Sequence, residues 1–524
     1  MMGLCGYNGG YMPDTGINNL IDGIQNVYPG FCKIINLEAS REGRPIRAIK
    51  MGKGSGADRR GVLLVGGIHA RELLNPDALI YFAFNLAYAY SQNKDFVLGN
   101  KTYTAAFVKM LIENMDIYIL PLANPDGRVF VLAANGDRMW RGNRAPNPGK
   151  ACKGVDINRN FDFLWTSGIM TSSDPCNASQ IYKGPSAFSE PETRNVRKML
   201  DDFPNISGMI DVHSYSEDIL YPWGDDENQT NNTNMNFKNA AFNGQRGTTG
   251  DAYKEYIPKA DLDWLVSVGN NMKQGIAAVR GKNYVSKQSV GLYPTSATSD
   301  DYSYSRHYVN NAKRKVFAYC IETGPLVVKN GVPDYLKSFQ PDFPEASCIM
   351  EDVQPAFMEF CVSILSASSD LVNSLRMASQ ATSGKAAGKA SLSRTGSRFA
   401  KLLDENRDEL MELARGDTRL WRQSLVALKR VLPVIQSHQS AKPKVIDEAL
   451  VKQVDEVLGL LGDKGSPKLR RAMQSIRKDL QPFVGKTMLE GFKAADKSKP
   501  RKAAKSQSQK ADKAKPRKAS KSRK

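Results

Sequence analysis

His69 and Glu72 are the residues from which chemistry can first be built, three apart in Gly66-Gly67-Ile68-His69-Ala70-Arg71-Glu72-Leu73. Imidazole nitrogen and carboxylate oxygen are good zinc ligands, and a His and a Glu at this spacing can turn toward one point. The pair alone is a common occurrence, and its surroundings make it informative. It follows the apolar run Val62-Leu63-Leu64-Val65, which reads as a buried strand, and precedes Pro76 to Tyr90, which reads as a helix. Open α/β sheets place their ligands at the carboxyl ends of strands. The chain has only four His, at 69, 213, 307 and 438, and His213 ends the strand read in Met209-Ile210-Asp211-Val212-His213-Ser214-Tyr215. Together His69, Glu72 and His213 make a two-His, one-Glu set that leaves a fourth position for water. A third strand, Val316 to Ile321, ends at Glu322, a carboxylate placed as a general base.

Other elements must position these residues. Ile17, Leu20, Ile21, Ile24 and Val27 give a helical stripe ended by Pro29-Gly30, and Phe31 to Leu37 and Ile46 to Met51 read as strands around a turn. Met115 to Leu122 is a further apolar strand, running into Asn124-Pro125-Asp126-Gly127, which reads as a turn. Two polar-basic stretches without helical or strand period follow: Arg138-Met139-Trp140-Arg141-Gly142-Asn143-Arg144 and Gly154-Val155-Asp156-Ile157-Asn158-Arg159-Asn160-Phe161. Neighbouring Arg-bearing loops favour recognition of a carboxylate, whose geometry the guanidinium fork matches. Gly291 to Tyr302 is rich in Ser and Thr and reads as a loop, and Val353 to Ser379 reads as a helix with Pro355 near its start.

The 524 residues exceed what one core serves, so at least two structural units are expected. No apolar run reaches the ~18 residues of a membrane span. Met1 to Gly16 lacks the basic and apolar regions of a secretory signal. Seven Cys are too few for a disulfide scaffold, and an odd number leaves at least one unpaired within a monomer. The net charge of +19 is uneven: ten Lys, three Arg and two Asp in 496–524 supply +11 of it.

Taken in order, the motifs resemble the zinc carboxypeptidase family typified by pancreatic carboxypeptidases A and B. They are Gly-Ile-His69-Ala-Arg-Glu72, Asn-Pro-Asp-Gly, Arg-Met-Trp-Arg141, Gly-Val-Asp156-Ile-Asn158-Arg159-Asn, Tyr182-Lys-Gly184 with Ser189-Glu-Pro-Glu192, His213-Ser-Tyr, Tyr293 with Asp300-Asp301, and Glu322-Thr-Gly. The resemblance covers residues 7–375 and implies an α/β/α sandwich around a twisted mixed eight-stranded sheet. It implies one Zn2+ per chain, held by His69, Glu72 and His213, with Asp156 orienting the first His from behind. Glu322 is then the base, and Arg141 stabilises the oxyanion. Asn158 and Arg159 clamp the C-terminal carboxylate, Arg71 is a secondary contact and Tyr293 closes over the last residue. At the position of Asp300, carboxypeptidase A-like members carry an apolar residue and carboxypeptidase B-like members an Asp, so the resemblance implies a preference for C-terminal Lys or Arg. Cys152 and Cys176 resemble a family disulfide pair. That pair and the family favour an exported protein, while the absence of a visible signal leaves a cytoplasmic one open.

The expected organisation is a catalytic domain over 1–379, a linker of Ala, Ser, Gly and Lys over 380–395, a helical extension over 396–495 and a disordered basic tail over 496–524. The extension carries four apolar stripes: Phe399 to Leu413, Trp421 to Ile435, Ile446 to Leu461 ended by Gly462, and Leu469 to Leu480, the last opened by Ser466 and Pro467. The tail repeats itself at an offset of sixteen residues and would bind polyanions such as nucleic acid or an anionic surface through charge alone. A monomer acting on peptide or protein C-termini is expected. Two alternatives stand beside it: the same chemistry on peptidoglycan stem peptides or glutamyl side chains, and a catalytically silent binding protein.

Overall fold

The computed structural model describes residues 4–54, 59–366, 402 and 445–497. The chain divides into two compact units, Met1–Ser368 and Ser369–Lys524. In the first, helix α1 (Asp14–Val27) is followed by strands β1 (Cys32–Asn36), β2 (Arg47–Met51) and β3 (Arg60–Gly66) and helix α2 (Leu74–Ser91). A small hairpin, β4 (Phe96–Leu98) and β5 (Lys101–Tyr103), leads to α3 (Ala105–Asn114), β6 (Met115–Leu120) and α4 (Pro125–Leu132). After a long irregular stretch come α5 (Pro191–Asp202), β7 (Ile206–His213), β8 (Asp218–Tyr221), β9 (Asn228–Gln229), β10 (Glu255–Tyr256), α6 (Lys259–Arg280) and β11 (Val285–Gln288). The unit ends with α7 (Ser299–Val309), β12 (Phe317–Glu322), the hairpin β13 (Val328–Lys329) and β14 (Val332–Pro333), α8 (Tyr335–Phe339) and α9 (Phe343–Ser366).

Eight strands form one mixed sheet in the order β1-β2-β6-β3-β7-β12-β8-β11, the centre of an α/β/α sandwich. β6, β3, β7 and β12 run parallel to one another. Every residue of β6 and β7 is buried, as parallel strands covered by helices on both faces must be. Unbroken apolar runs therefore stand where alternation would mark a half-exposed strand. Because β3, β7 and β12 are adjacent and parallel, their carboxyl ends lie side by side. Val212 pairs with Gly66 and His213 with Glu322. Three loops distant in sequence thus open from one edge of the sheet.

Three local expectations are corrected. Asn124-Pro125-Asp126-Gly127 is a helix start rather than a turn: the Asn124 side chain caps α4 by accepting from the Gly127 amide at 2.9 Å, with Pro125 in the first turn. Asp300 and Asp301 lie in the first turn of α7 rather than in a loop. The last helix starts at Phe343 rather than Val353, so Pro355 is interior to it.

In the second unit, helices Glu448–Lys464 and Pro467–Arg477 pack Leu458, Leu461, Leu469, Met473 and Ile476 into a small core. Ser466 caps the second helix on the Leu469 amide, and the first runs past Gly462 to a Gly465 cap. A short strand pair, Val445–Ile446 with Lys486–Thr487, and a helix, Met488–Lys497, complete the described part. The stripes from 399 to 413 and from 421 to 435 lie outside the described residues, Leu402 excepted, as does the tail from 498. No helix among the described residues is long and apolar enough to cross a membrane.

Candidate metal centre and substrate cleft

His69 and Glu72 leave the end of β3 through Gly66-Gly67. Gly67 has φ +67, and a Cβ there would sit 2.8 Å from Pro76 and 2.9 Å from Leu122, so glycine is required for the turn. His69 Nδ1 is 2.7 Å from Glu72 Oε1, and His213 Nδ1 is 3.0 Å from His69 Nδ1 and 3.1 Å from Glu72 Oε2. All three side chains are buried, and they form the one group of metal-ligating side chains at this spacing among the described residues.

The far nitrogens of both rings face carboxylates. His69 Nε2 is 3.2 Å from Asp156 Oδ1, and His213 Nε2 is 3.0 Å from Asp211 Oδ2. At His69 the carboxylate hydrogen-bonded to Nε2 favours the ring proton there and turns the Nδ1 lone pair the other way, while at His213, whose Nε2 makes no hydrogen bond, Asp211 acts through its charge. The two Nδ1 atoms then face each other and one carboxylate, an arrangement that a shared cation satisfies. The donor set, two imidazoles and a carboxylate, suits zinc. The charges of the three groups depend on one another. Burial opposes ionisation of Glu72, but His69 and His213 overcome it and hold its carboxyl well below the usual range. Burial would likewise push His213 down, but Asp211 and Glu72 hold it well above its ordinary value. Asp211 was not singled out in the sequence. Its signal was there, since residues two apart on a strand share a face.

Asp156 ties the ligands to the basic loops. Its Oδ2 accepts from Arg141 Nε at 2.8 Å, and its Oδ1 accepts from the Asn158 amide at 3.1 Å. Burial opposes its ionisation too, but Arg141 and His69 hold the carboxyl far below the usual range. With Nε engaged, the two terminal amino groups of Arg141 have no hydrogen-bond acceptor among the described residues. The two loops are zipped together: Asn143 N donates to Val155 O, and a Cβ on Gly142 would lie 2.6 Å from that oxygen. Cys152 is bridged to Cys176 and closes this region, while a second bridge, Cys5 to Cys348, had no signal in the spacing. Cys32, Cys320 and Cys361 are free and buried.

Asn158 and Arg159 occupy a single turn of 3-10 helix, both buried. Asn158 Oδ1 accepts from the Ser299 amide at 2.9 Å, and Ser299 Oγ donates to Asp211 Oδ2. The start of α7 is thereby tied both to the Asn158 turn and to the carboxylate behind His213. Arg159 donates from Nε to Met170 O and from Nη1 to Asn158 O, leaving Nη2 without an acceptor among the described residues. Tyr293 is 36% exposed on the loop before α7, within electrostatic reach of Arg71 and Arg141. Arg71 lies over the Phe339 ring at 4.3 Å and donates to Met139 O at 3.2 Å.

Asp300 does not touch the His–Glu–His group. It is 4% exposed, accepts from Ser289 Oγ at 3.2 Å, and has no Lys or Arg in ion-pair range among the described residues. Burial pushes its carboxyl up. Glu322 ends β12 beside His213. Burial pushes its carboxyl up to about 8, with His213 pulling down and Glu72 pushing further up.

Comparison with known proteins agrees with this geometry. Residues 17–329 match the family model described as zinc carboxypeptidase. Carboxypeptidase B of Astacus astacus is 31% identical over 309 residues, 58% of this chain and 84% of that protein. Carboxypeptidase A4 of Mus musculus is 29% identical over 298 residues, 56% of this chain and 60% of that protein. A protein of Talaromyces stipitatus named inactive metallocarboxypeptidase ecm14 is 29% identical over 278 residues, 51% of this chain and 44% of that protein. The chain thus spans less than two thirds of the latter two relatives. The fold matches that of thrombin activatable fibrinolysis inhibitor with a TM-score of 0.53, at 24% identity, over 68% of this chain and 75% of that one. The chain belongs to the zinc carboxypeptidase family, a zinc-dependent family whose active carboxypeptidases take peptide C-termini as substrate.

Proposed function

We propose that the chain is an active zinc carboxypeptidase that removes C-terminal Lys or Arg from peptides and proteins. The observation that carries the specificity is Asp300: a buried carboxylate with no cationic partner among the described residues, next to Ser299, which makes the Asn158 and Asp211 contacts. A basic side chain entering there would pair with a charge that is otherwise costly to hold.

His69, Glu72 and His213 would hold one zinc ion, which supplies a Lewis acid that acidifies a water ligand and polarises the scissile carbonyl. Glu322, its proton affinity raised by burial, takes the water's proton and returns it to the leaving amine. The open amino groups of Arg141 receive the negative charge developing on the carbonyl oxygen, and Asp156 keeps that side chain charged and aimed. Asn158 and the free end of Arg159 bind the terminal carboxylate, Arg71 stands as a further contact, and Tyr293 covers the last residue. This clamp favours an ordinary α-carboxylate over a glutamyl side chain or a cell-wall stem peptide. Retention of all three ligands and of Glu322 argues against a silent binding protein.

The test is release of the last residue from matched peptides ending in Arg, Lys, Phe or Glu, with and without a zinc chelator. Chelator-sensitive release of Arg and Lys is expected. Glu322→Gln should keep one zinc per chain and lower kcat by roughly 10²–10⁴-fold. Release of Phe ahead of Arg would remove the basic preference and leave the metal site standing. No release by a zinc-loaded chain would place it with its inactive relatives.

A further inference from the structure

The hairpin that follows Glu322 exposes apolar side chains. β13 and β14 pair Val328 with Pro333 and Lys329 with Val332, and the Asp334 amide continues the ladder to Val327 O at 2.8 Å. In such a ladder alternate residues share a face. Val328 and Pro333, with Leu326, therefore lie on one side, and Val327, Lys329, Val332 and Asp334 on the other. Apolar side chains face solvent all along it: Leu326 is 44% exposed, Val328 54%, Val332 66% and Tyr335, which opens α8, 54%, and Pro333 is exposed as well. Only Val327 and Asp334, at the inner end of the second side, are half-buried. A surface hairpin normally shows the reverse, polar out and apolar in. Lys329 is the only charged residue from Pro325 to Pro333. Clustered exposed apolar side chains of this kind mark a binding surface.

This strip is continuous with the cleft. The Val327 amide donates to Ser338 Oγ at 2.8 Å, anchoring the hairpin to α8. The last residue of α8, Phe339, lies under Arg71 at 4.3 Å and meets the Tyr215 ring at 4.9 Å. Arg71 stands between His69 and Glu72, and Tyr215 lies two residues beyond His213. Leu326 is four residues from Glu322, which limits the path to about 14 Å, the reach of about four extended residues.

We propose that the outer face of this hairpin is a docking strip for the polypeptide substrate, taking apolar side chains about three to five residues upstream of the residue removed. The proposal rests on the peptidase reading above. The favoured substrate is then a chain with an apolar stretch shortly before a basic end.

The test uses the full chain, zinc-loaded, with benzoyl-Gly-Arg and with two Arg-ended octapeptides, one carrying Leu-Phe-Leu and the other Ser-Asn-Ser upstream. The native chain should favour the apolar octapeptide about tenfold in kcat/KM. The double variant Leu326→Ser, Val328→Ser should lose that preference while hydrolysing benzoyl-Gly-Arg, too short to reach the hairpin, as before. Fluorescence anisotropy of the labelled octapeptides on the Glu322→Gln chain, with and without the two Ser substitutions, should give the same ratio as binding and needs no turnover. Apolar preference in binding without any hydrolysis would overturn the peptidase reading and keep the strip. Cleavage of benzoyl-Gly-Arg with the two octapeptides treated alike would overturn the strip and keep the peptidase reading. A dimer of the native chain that the Ser substitutions dissolve would also overturn it, assigning the face to a second copy.

Discussion

Glu192 is fully buried beside Glu190, with Oε2 accepting from Asn143 at 3.2 Å and Oε1 without a partner. Burial, and then the charge of Glu190, push its carboxyl up to about 8. The unfolded chain ionises this group near pH ~4.3. Between that pH and 8 the unfolded state holds fewer protons than the folded one, so Glu192 takes stability away as pH rises, and the loss levels off above 8. Glu192→Gln should match the native chain near pH 4 and unfold several degrees above it at pH 8, read by thermal melts at several pH values. A gap that does not vary with pH would exclude this account. At Asp300 the expectation is catalytic. Removing one member of a buried charge pair costs about 3–5 kcal/mol, so Asp300→Ala should lower kcat/KM for Arg-ended peptides by at least ~100-fold while that for Phe-ended peptides rises.

At the scale of elements, the site depends on loops held at close quarters. Gly142→Ala would place a methyl against Val155 O and part the Arg141 loop from the Asp156 loop. The expected cost is about 1–3 kcal/mol in urea unfolding, with a fall in kcat at unchanged zinc content. Full kcat in this variant would show that Arg141 is placed by Asp156 alone. The same scale marks what could be read from the chain. The strands ending at Gly66, His213 and Glu322 were legible because strands buried on both faces are unbroken apolar runs. Their adjacency was not, because β3, β7 and β12 are joined through segments that periodicity cannot order, and only the family resemblance supplied it. α7 escaped notice because its buried side is polar: Ser299, Asp300, Asp301, Ser303 and Ser305 are enclosed, and no apolar stripe announces them. Asn124-Pro125 was ambiguous because the residues that make a turn also cap a helix.

At the scale of the whole molecule, the division into Met1–Ser368 and Ser369–Lys524 leaves every residue of the candidate site in the first unit. We propose that residues 1–379 form an independent catalytic domain. A chain ending at residue 379 should fold, bind one zinc per chain and keep the native kcat/KM for benzoyl-Gly-Arg within about twofold; loss of folding would show that the second unit completes the first. Within the first unit, Cys5 is joined to Cys348 across 343 residues of sequence. By the loop-entropy relation such a closure restrains the unfolded chain by about 6 kcal/mol. It also makes the catalytic unit a covalent ring in which the ligands, the basic loops, Asp300 and the apolar hairpin are all enclosed. A single backbone cut anywhere between the two sulfurs opens the ring without releasing a fragment. The nicked molecule keeps its mass until a reductant is added, so the unit withstands a first cut by other proteases as a circle does and a string does not.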